Sequence, residues 1–268
     1  TLFRSTIANP GTQMPDLEGI GALCKERGLL YVVDNTVASP YLFRPGTVGA
    51  GLVVHSLTKS IGGQGDALGG AVIDTGVFDW STYPNIFPAY RKGNAKGWGL
   101  QQVRKKGLRD MGGALSSHAA HQMALGAETL ALRMERITEN TIKVAKFLQS
   151  HAKVGWVNYA GLPNHRDHAL VQQYMGGRAS GIISFGLKSD DAIAAGTRFQ
   201  DALQLFTRLV NIGDAKSLAT HPASTTHRQL NPAELAKAGV SENMVRLSVG
   251  IEHISDLQAD LAQALEKV

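Results

Sequence analysis

Two short apolar runs, residues 29–33 and 52–54, stop abruptly at polar ends: Asp34-Asn35-Thr36 after the first, His55-Ser56-Leu57-Thr58-Lys59 after the second. A continuous apolar run of that length is what a strand buried on both faces requires. Ahead of the first run, Asn9-Pro10-Gly11 marks a turn. Asp16 then opens a helical segment in which Leu17, Ile20 and Cys24 recur on one face, and Gly28 ends it. A third run lies at 69–73. Helix alternating with buried strand predicts an α/β fold with a parallel-type sheet. Ligands of such sheets gather beyond the carboxyl ends of the strands, where Asp34 and Lys59 stand.

The rest of the chain divides around one helical stretch. Residues 76–109 are rich in Gly, Pro, Tyr and bases and read as a long surface excursion. Residues 111–150 read as a helix that leaves a first domain, 1–125, for a second α/β domain, 126–268. In the latter, 156–159, 182–185 and 245–249 read as strands, and 192–205 and 255–267 as helices. The net charge of +5 invites a nucleic-acid reading. Its densest patch holds Arg91, Lys92, Lys96, Arg104, Lys105, Lys106 and Arg109, but Trp98 is the only aromatic among them, so stacking platforms are missing. A solvated insertion or the rim of an anionic-ligand site is the expectation, with no nucleic acid.

Other signals stay structural. No apolar run approaches the ~20 residues of a membrane helix, and residues 1–10 show no apolar leader core. The lone Cys24 rules out an internal disulfide, sits on the buried face of the predicted helix, and suits a reduced, cytoplasmic compartment. His118/His121 and His165/His168 share a helical spacing without an acid or Cys to complete a metal set. The glycines between 62 and 70 lack the GK[ST] ending of a nucleotide loop.

Lys59 carries the chemistry. Among Ser56, Thr58, Ser60, Gly62 and Gly63 its amine can be partly desolvated, which lowers its pKa and makes it a nucleophile toward carbonyls. Asp34, ending the neighbouring strand, needs a cationic partner. The two residues either pair with each other or grip one ligand together. In the second case Lys59 bonds an aldehyde and Asp34 a ring nitrogen, as around pyridoxal 5'-phosphate, with Ser56 and Thr58 offering hydroxyls to the phosphate.

VVDNT followed by HSLTKSIGGQGDALGG resembles the cofactor core of the Cys/Met-metabolism family of pyridoxal-phosphate enzymes, along essentially the whole chain. The resemblance implies a fold-type I transferase. It assigns Lys59 as the cofactor-bearing lysine, Asp34 as the ring-nitrogen partner and Ser56 and Thr58 as phosphate ligands. Asn9 of IANP falls near the cofactor's phenolic oxygen. Arg246 of MVRLSVGIEHISDL clamps the substrate carboxylate, and Asn211 of VNIGDAKSLATHPASTTH stands beside it. An arginine in an apolar strand independently asks for an anion. Ser5 replaces a glutamate usual in the family.

Within the family the chain is most similar to sulfhydrylases that exchange the γ-ester of O-acetylhomoserine for sulfide or a thiol. Residues 76–109 match their extra segment. The alternatives are a γ-elimination or γ-synthase member or, outside this chemistry, a cofactor-binding fragment or a basic RNA-binding protein. The family implies a homo-oligomer, commonly a dimer of dimers. Three strands would leave two open edges, and no phosphate loop or ring-stacking tyrosine precedes Asp34. We therefore expect the 268 residues to be the later portion of a longer polypeptide and a weak catalyst alone.

Overall fold

The computed structural model describes residues 1–268, Pro232 by its backbone alone. The first half builds a four-stranded sheet ordered β1 (Leu2–Ser5), β2 (Tyr31–Asp34), β3 (Leu52–Ser56) and β4 (Gly70–Asp74). Strands β1 to β3 are parallel, with Ser5 opposite Asp34 and Asp34 opposite Val54. Strand β4 returns antiparallel, with Gly70 opposite Ser56.

The sequence-based picture of three parallel strands is thus corrected twice. β1 escaped notice because it is four residues long, only half-buried, and includes Arg4. The sheet is mixed because residues 57–69 hold turns alone, without the crossover helix that a parallel return needs. Burial also alternates along β2 and β3, so these strands are covered fully on one face, not on both.

Helix α1 (Leu17–Glu26) starts where expected. The Asp16 carboxylate accepts the Gly19 N–H at 3.0 Å, one of the donors a helix start leaves unpaired. Its buried Cys24 packs on Tyr31, Val33 and Val53 of the sheet. A short helix, α2 (Ser39–Leu42), follows β2. Residues 76–97 form short turns, and a continuous helical stretch follows: α3 (Trp98–Gln102), a π-helical segment (Val103–Leu108) and α4 (Arg109–Met111). The 76–109 segment is anchored more firmly than a solvated excursion. Trp80 and Ile86 are each 3% exposed, against Leu30 with Val32 and Leu52 alongside, and Trp80 Nε1 donates to Asp74 Oδ2 at 2.7 Å.

The single helix expected over 111–150 is two, α5 (Ser117–Glu128) and α6 (Leu130–Ser150), broken at Thr129. Gly126 explains the close approach at the break, since a Cβ there would stand 2.1 Å from the Gly62 carbonyl oxygen.

Beyond α6, β5 (Val154–Asn158), β6 (Ile182–Leu187), β7 (Thr207–Arg208), β8 (Leu218–Thr220) and β9 (Met244–Ser248) form a sheet ordered β5-β6-β9-β8-β7. Helices α7 (His168–Met175), α8 (Ala192–Ala202), α9 (Pro232–Lys237) and α10 (Ile254–Leu265) accompany it. The strands at β7 and β8 were not anticipated; two or three residues are too few to show a period. One large core joins Ile137, Val144 and Leu148 of α6 to Phe185, Leu247 and Leu257, and also to Ile7, Leu17 and Phe43 of the first half. That shared core brings the carboxyl ends of β2 and β3 against β9 and the loop between β7 and β8. No helix among the described residues is long and apolar enough to cross a membrane.

Candidate active site

Lys59 lies in the turn that follows β3. The Gly62 N–H bonds back to the Leu57 carbonyl and the Gly63 N–H to the Lys59 carbonyl, both at 2.8 Å. The Lys59 ammonium donates to Asn211 Oδ1 at 2.5 Å, from the β7–β8 loop 152 residues later. Burial lowers the Lys59 pKa, and the charge of Arg246 lowers it further.

Arg246 stands mid-strand in β9, opposite Ser184 of β6 and Thr220 of β8. It donates Nη2 to the Asn211 carbonyl at 3.1 Å and Nη1 to Asn9 Oδ1 at 3.3 Å. Its Nε is buried without a partner, and among the described residues no carboxylate reaches ion-pair distance of it. Burial alone pushes its pKa down. A desolvated guanidinium with an unused donor is a receptor for an anion from outside the chain.

Asn9 is held by the second sheet. Ser184 Oγ donates to the Pro10 carbonyl and Asn158 Nδ2 to the Gly11 carbonyl, both at 2.6 Å. The Met14 N–H donates to Asp167 Oδ2 at 3.1 Å. Asn9, Lys59, Asn211 and Arg246, drawn from four separate elements, are therefore joined through one chain of hydrogen bonds.

Asp34 does not pair with Lys59. Its Oδ1 accepts only the Thr36 N–H among the described residues, at 2.9 Å. The simpler sequence-based alternative, a mutual ion pair, is thereby removed, and the carboxylate keeps its capacity for another cation. Neighbouring His55 is 5% exposed; burial pushes its pKa down, against the pull of the Asp34 charge. The Ser56 N–H donates to Thr36 Oγ1 at 2.8 Å. The Thr58 hydroxyl is turned toward Gly69, accepting its N–H at 3.0 Å. Sequence reasoning missed Thr36, Ser184 and Asn158. Thr36 stood beside Asp34 in the same motif; the other two gave no signal.

The donor set fits pyridoxal phosphate: a desolvated amine for its aldehyde, an unpaired carboxylate for its ring nitrogen and hydroxyls for its phosphate. The family model for Cys/Met metabolism PLP-dependent enzymes matches residues 1–266. O-acetyl-L-homoserine sulfhydrylase 1 of Thermus thermophilus is 45% identical over 97% of this chain and 64% of its own length. Sulfhydrylase FUB7 of Gibberella moniliformis is 41% identical over 99% of this chain and 64% of its own. The chain thus spans 64% of the length of these curated relatives. A Campylobacter jejuni crystal structure containing N'-pyridoxyl-lysine-5'-monophosphate superposes with a TM-score of 0.87 at 38% identity, over 98% of this chain and 65% of that one. The chain belongs to the Cys/Met metabolism PLP-dependent enzymes.

Proposed function

We propose that the protein carrying this chain replaces the γ-acyloxy group of an O-acylated homoserine, foremost O-acetylhomoserine, with sulfide or a thiol. The products are homocysteine or methionine and acetate. The observation that carries this reading is the half-buried guanidinium of Arg246, with its Nε buried and unpartnered and no carboxylate in reach among the described residues, tied through Asn211 to the amine of Lys59. It is a carboxylate clamp set beside a base. Relatives named O-acetylhomoserine sulfhydrylase and homocysteine synthase support the reaction class.

Lys59 would hold the cofactor's aldehyde carbon, and Asp34 would stand against its ring nitrogen. Ser56 and Thr58 face its phosphate, with Thr58 exchanging its Gly69 contact for the ligand. Asn9 lies by the phenolic oxygen. Bound pyridoxal phosphate supplies the electron sink that makes a proton at Cα acidic. Arg246 takes both oxygens of the substrate carboxylate, and the Asn211 amide fixes its orientation. Because Asn211 links Arg246 to Lys59, that grip would bring Cα to the side of the site where Lys59 Nζ stands. Burial and the Arg246 charge lower the pKa of this amine and so favour its neutral form, the form that would remove the α-proton and then move a proton at Cβ. The division at about residue 125 into a cofactor domain and a C-terminal domain, the cytoplasmic setting and a dimer of dimers belong to the same proposal.

Product analysis tests it. Holoenzyme given O-acetylhomoserine should yield homocysteine and acetate in equal amounts, and only when sulfide is present. A 2-oxo acid and ammonia released without need of sulfide would reassign the protein to γ-elimination.

A further inference from the structure

In the turn bearing Lys59, the successive carbonyls of Ser60 and Ile61 take none of the turn's own donors. Its backbone donors return to Leu57 and Lys59. Among the described residues, no backbone N–H outside regular helices and strands takes the carbonyl of Ser60 or Ile61. Both are taken by one side chain from a distant element. Arg133, in the first turn of α6, donates Nη1 to Ser60 O at 2.5 Å and Nη2 to Ile61 O at 3.1 Å. The same guanidinium closes the end of α5, with Nη2 to Gly126 O at 2.5 Å, and rests Nε on Thr129 Oγ1 at 3.1 Å.

Arg133 is 4% exposed. Among the described residues no carboxylate forms an ion pair with it. The nearest compensating charge is Asp214, buried in the loop that carries Asn211 and acting on it without a direct ion pair, so burial of this cation is only partly offset. Capping two carbonyls does not by itself demand an arginine. What a planar fork adds is rigidity: successive carbonyls and a helix end are fixed in one plane. Gly63 is bare on that side, where a Cβ would stand 2.0 Å from Arg133 Nη1.

The opposite side of the turn is held too. The Ala215 N–H donates to the Gly63 carbonyl at 2.8 Å. Gly213 packs on Ser60, a Cβ there falling 2.7 Å from its N and Oγ. Residues 213–215 belong to the loop that carries Asn211, the partner of the Lys59 amine. The turn is thus clasped between α6 and the loop that receives its lysine.

We propose that Arg133 is a positioning residue, which sets the direction of the Lys59 amine by fixing the Ser60 and Ile61 carbonyls behind it. The inference rests on the reading of Lys59 as the cofactor's anchor. It takes no part in the chemistry and touches neither cofactor nor substrate; its effect is on how readily the amine reaches the cofactor's aldehyde.

The test follows capture of pyridoxal phosphate by absorbance, in apoenzyme given saturating cofactor. Four variants are compared with wild type: Arg133→Met, Arg133→Lys, Leu148→Ala and Lys59→Ala. Leu148 is buried about four turns further along α6, so its variant loses stability without touching the turn. Arg133→Met should slow capture about tenfold and Arg133→Lys roughly threefold, the size of loss expected from a sub-ångström misplacement. Leu148→Ala should capture at the wild-type rate. Wild-type rates in both Arg133 variants overturn the proposal. Should Arg133→Met fail to fold, Arg133→Lys decides alone: unchanged capture refutes the positioning role, and slowed capture with an unaltered melting temperature supports it. Lys59→Ala separates the two readings. If it captures cofactor normally, the anchor assignment falls and takes the inference with it; if it alone loses capture, only the inference about Arg133 falls.

Discussion

At the scale of single side chains, the site places two cations on one asparagine. Lys59 uses the Asn211 side chain and Arg246 its backbone carbonyl, with no carboxylate between them among the described residues. Each cation raises the cost of the other, and under the proposed function a substrate carboxylate would relieve both. Arg246→Met should therefore raise KM for the amino-acid substrate about 10–100-fold, the equivalent of losing ~1.5–3 kcal/mol of charge-assisted hydrogen bonding, with a smaller effect on kcat. It should also move the acid limb of cofactor capture to higher pH. Removing a neighbouring positive charge stabilises the Lys59 ammonium, so the neutral amine appears later. An unmoved limb would mean that burial alone sets this lysine. Residues of this kind were legible in the sequence because each is a contradiction there: a charge at the end of, or within, an apolar strand needs a partner. Arg133 was not legible. An arginine in an amphipathic helix looks like one more solvated base, and only the fold reveals that it points inward.

At the scale of elements, the β7–β8 loop is the piece on which the arrangement turns. Gly213 has a φ of +72° and packs against Ser60. Gly28 has a similar φ of +61° with open space around it. Both alanine variants should cost about 1 kcal/mol or more from backbone strain. Only Gly213→Ala should also weaken substrate binding, because its Cβ must displace the turn that carries Lys59. Equal effects of the two on KM would contradict the packing described. The sequence showed α1, β2 and β3 well, since caps and apolar runs are local signals. It did not show the direction of β4, which depends on the absence of a crossover helix, or the break at Thr129, which depends on Gly126 meeting Gly62. Strands β7 and β8 owe their existence to neighbours rather than to any pattern of their own.

At the scale of the molecule, one core ties the first residues to the last helices, so stability and catalysis separate by location. Leu148→Ala, at a fully buried position, should cost about 2–5 kcal/mol while leaving kcat/KM of the surviving fold unchanged. Stability should also depend on pH in a definite order. Burial holds His55, His165 and His221 below the ordinary imidazole value of 6.5. The unfolded chain therefore takes up protons first: their contribution is fully present above 6.5 and is lost as pH falls below it. Asp260 acts in a lower window. Burial pulls its pKa up, but the N–H groups of Phe206, Gln204 and Leu205, with Gln263, outweigh that and hold it below 3.8. Its contribution is lost as pH falls below that value. A melting temperature flat from about pH 7 to about pH 5 would contradict the buried, neutral histidines. The site stands on one bond, between Lys59 and the cofactor, and borohydride reduction of the holoenzyme followed by peptide mapping reads it directly. The cofactor's pyridoxyl mass should be found on Lys59 and on no other lysine. Its appearance on a lysine elsewhere, with Lys59 unmodified, would contradict the site described here.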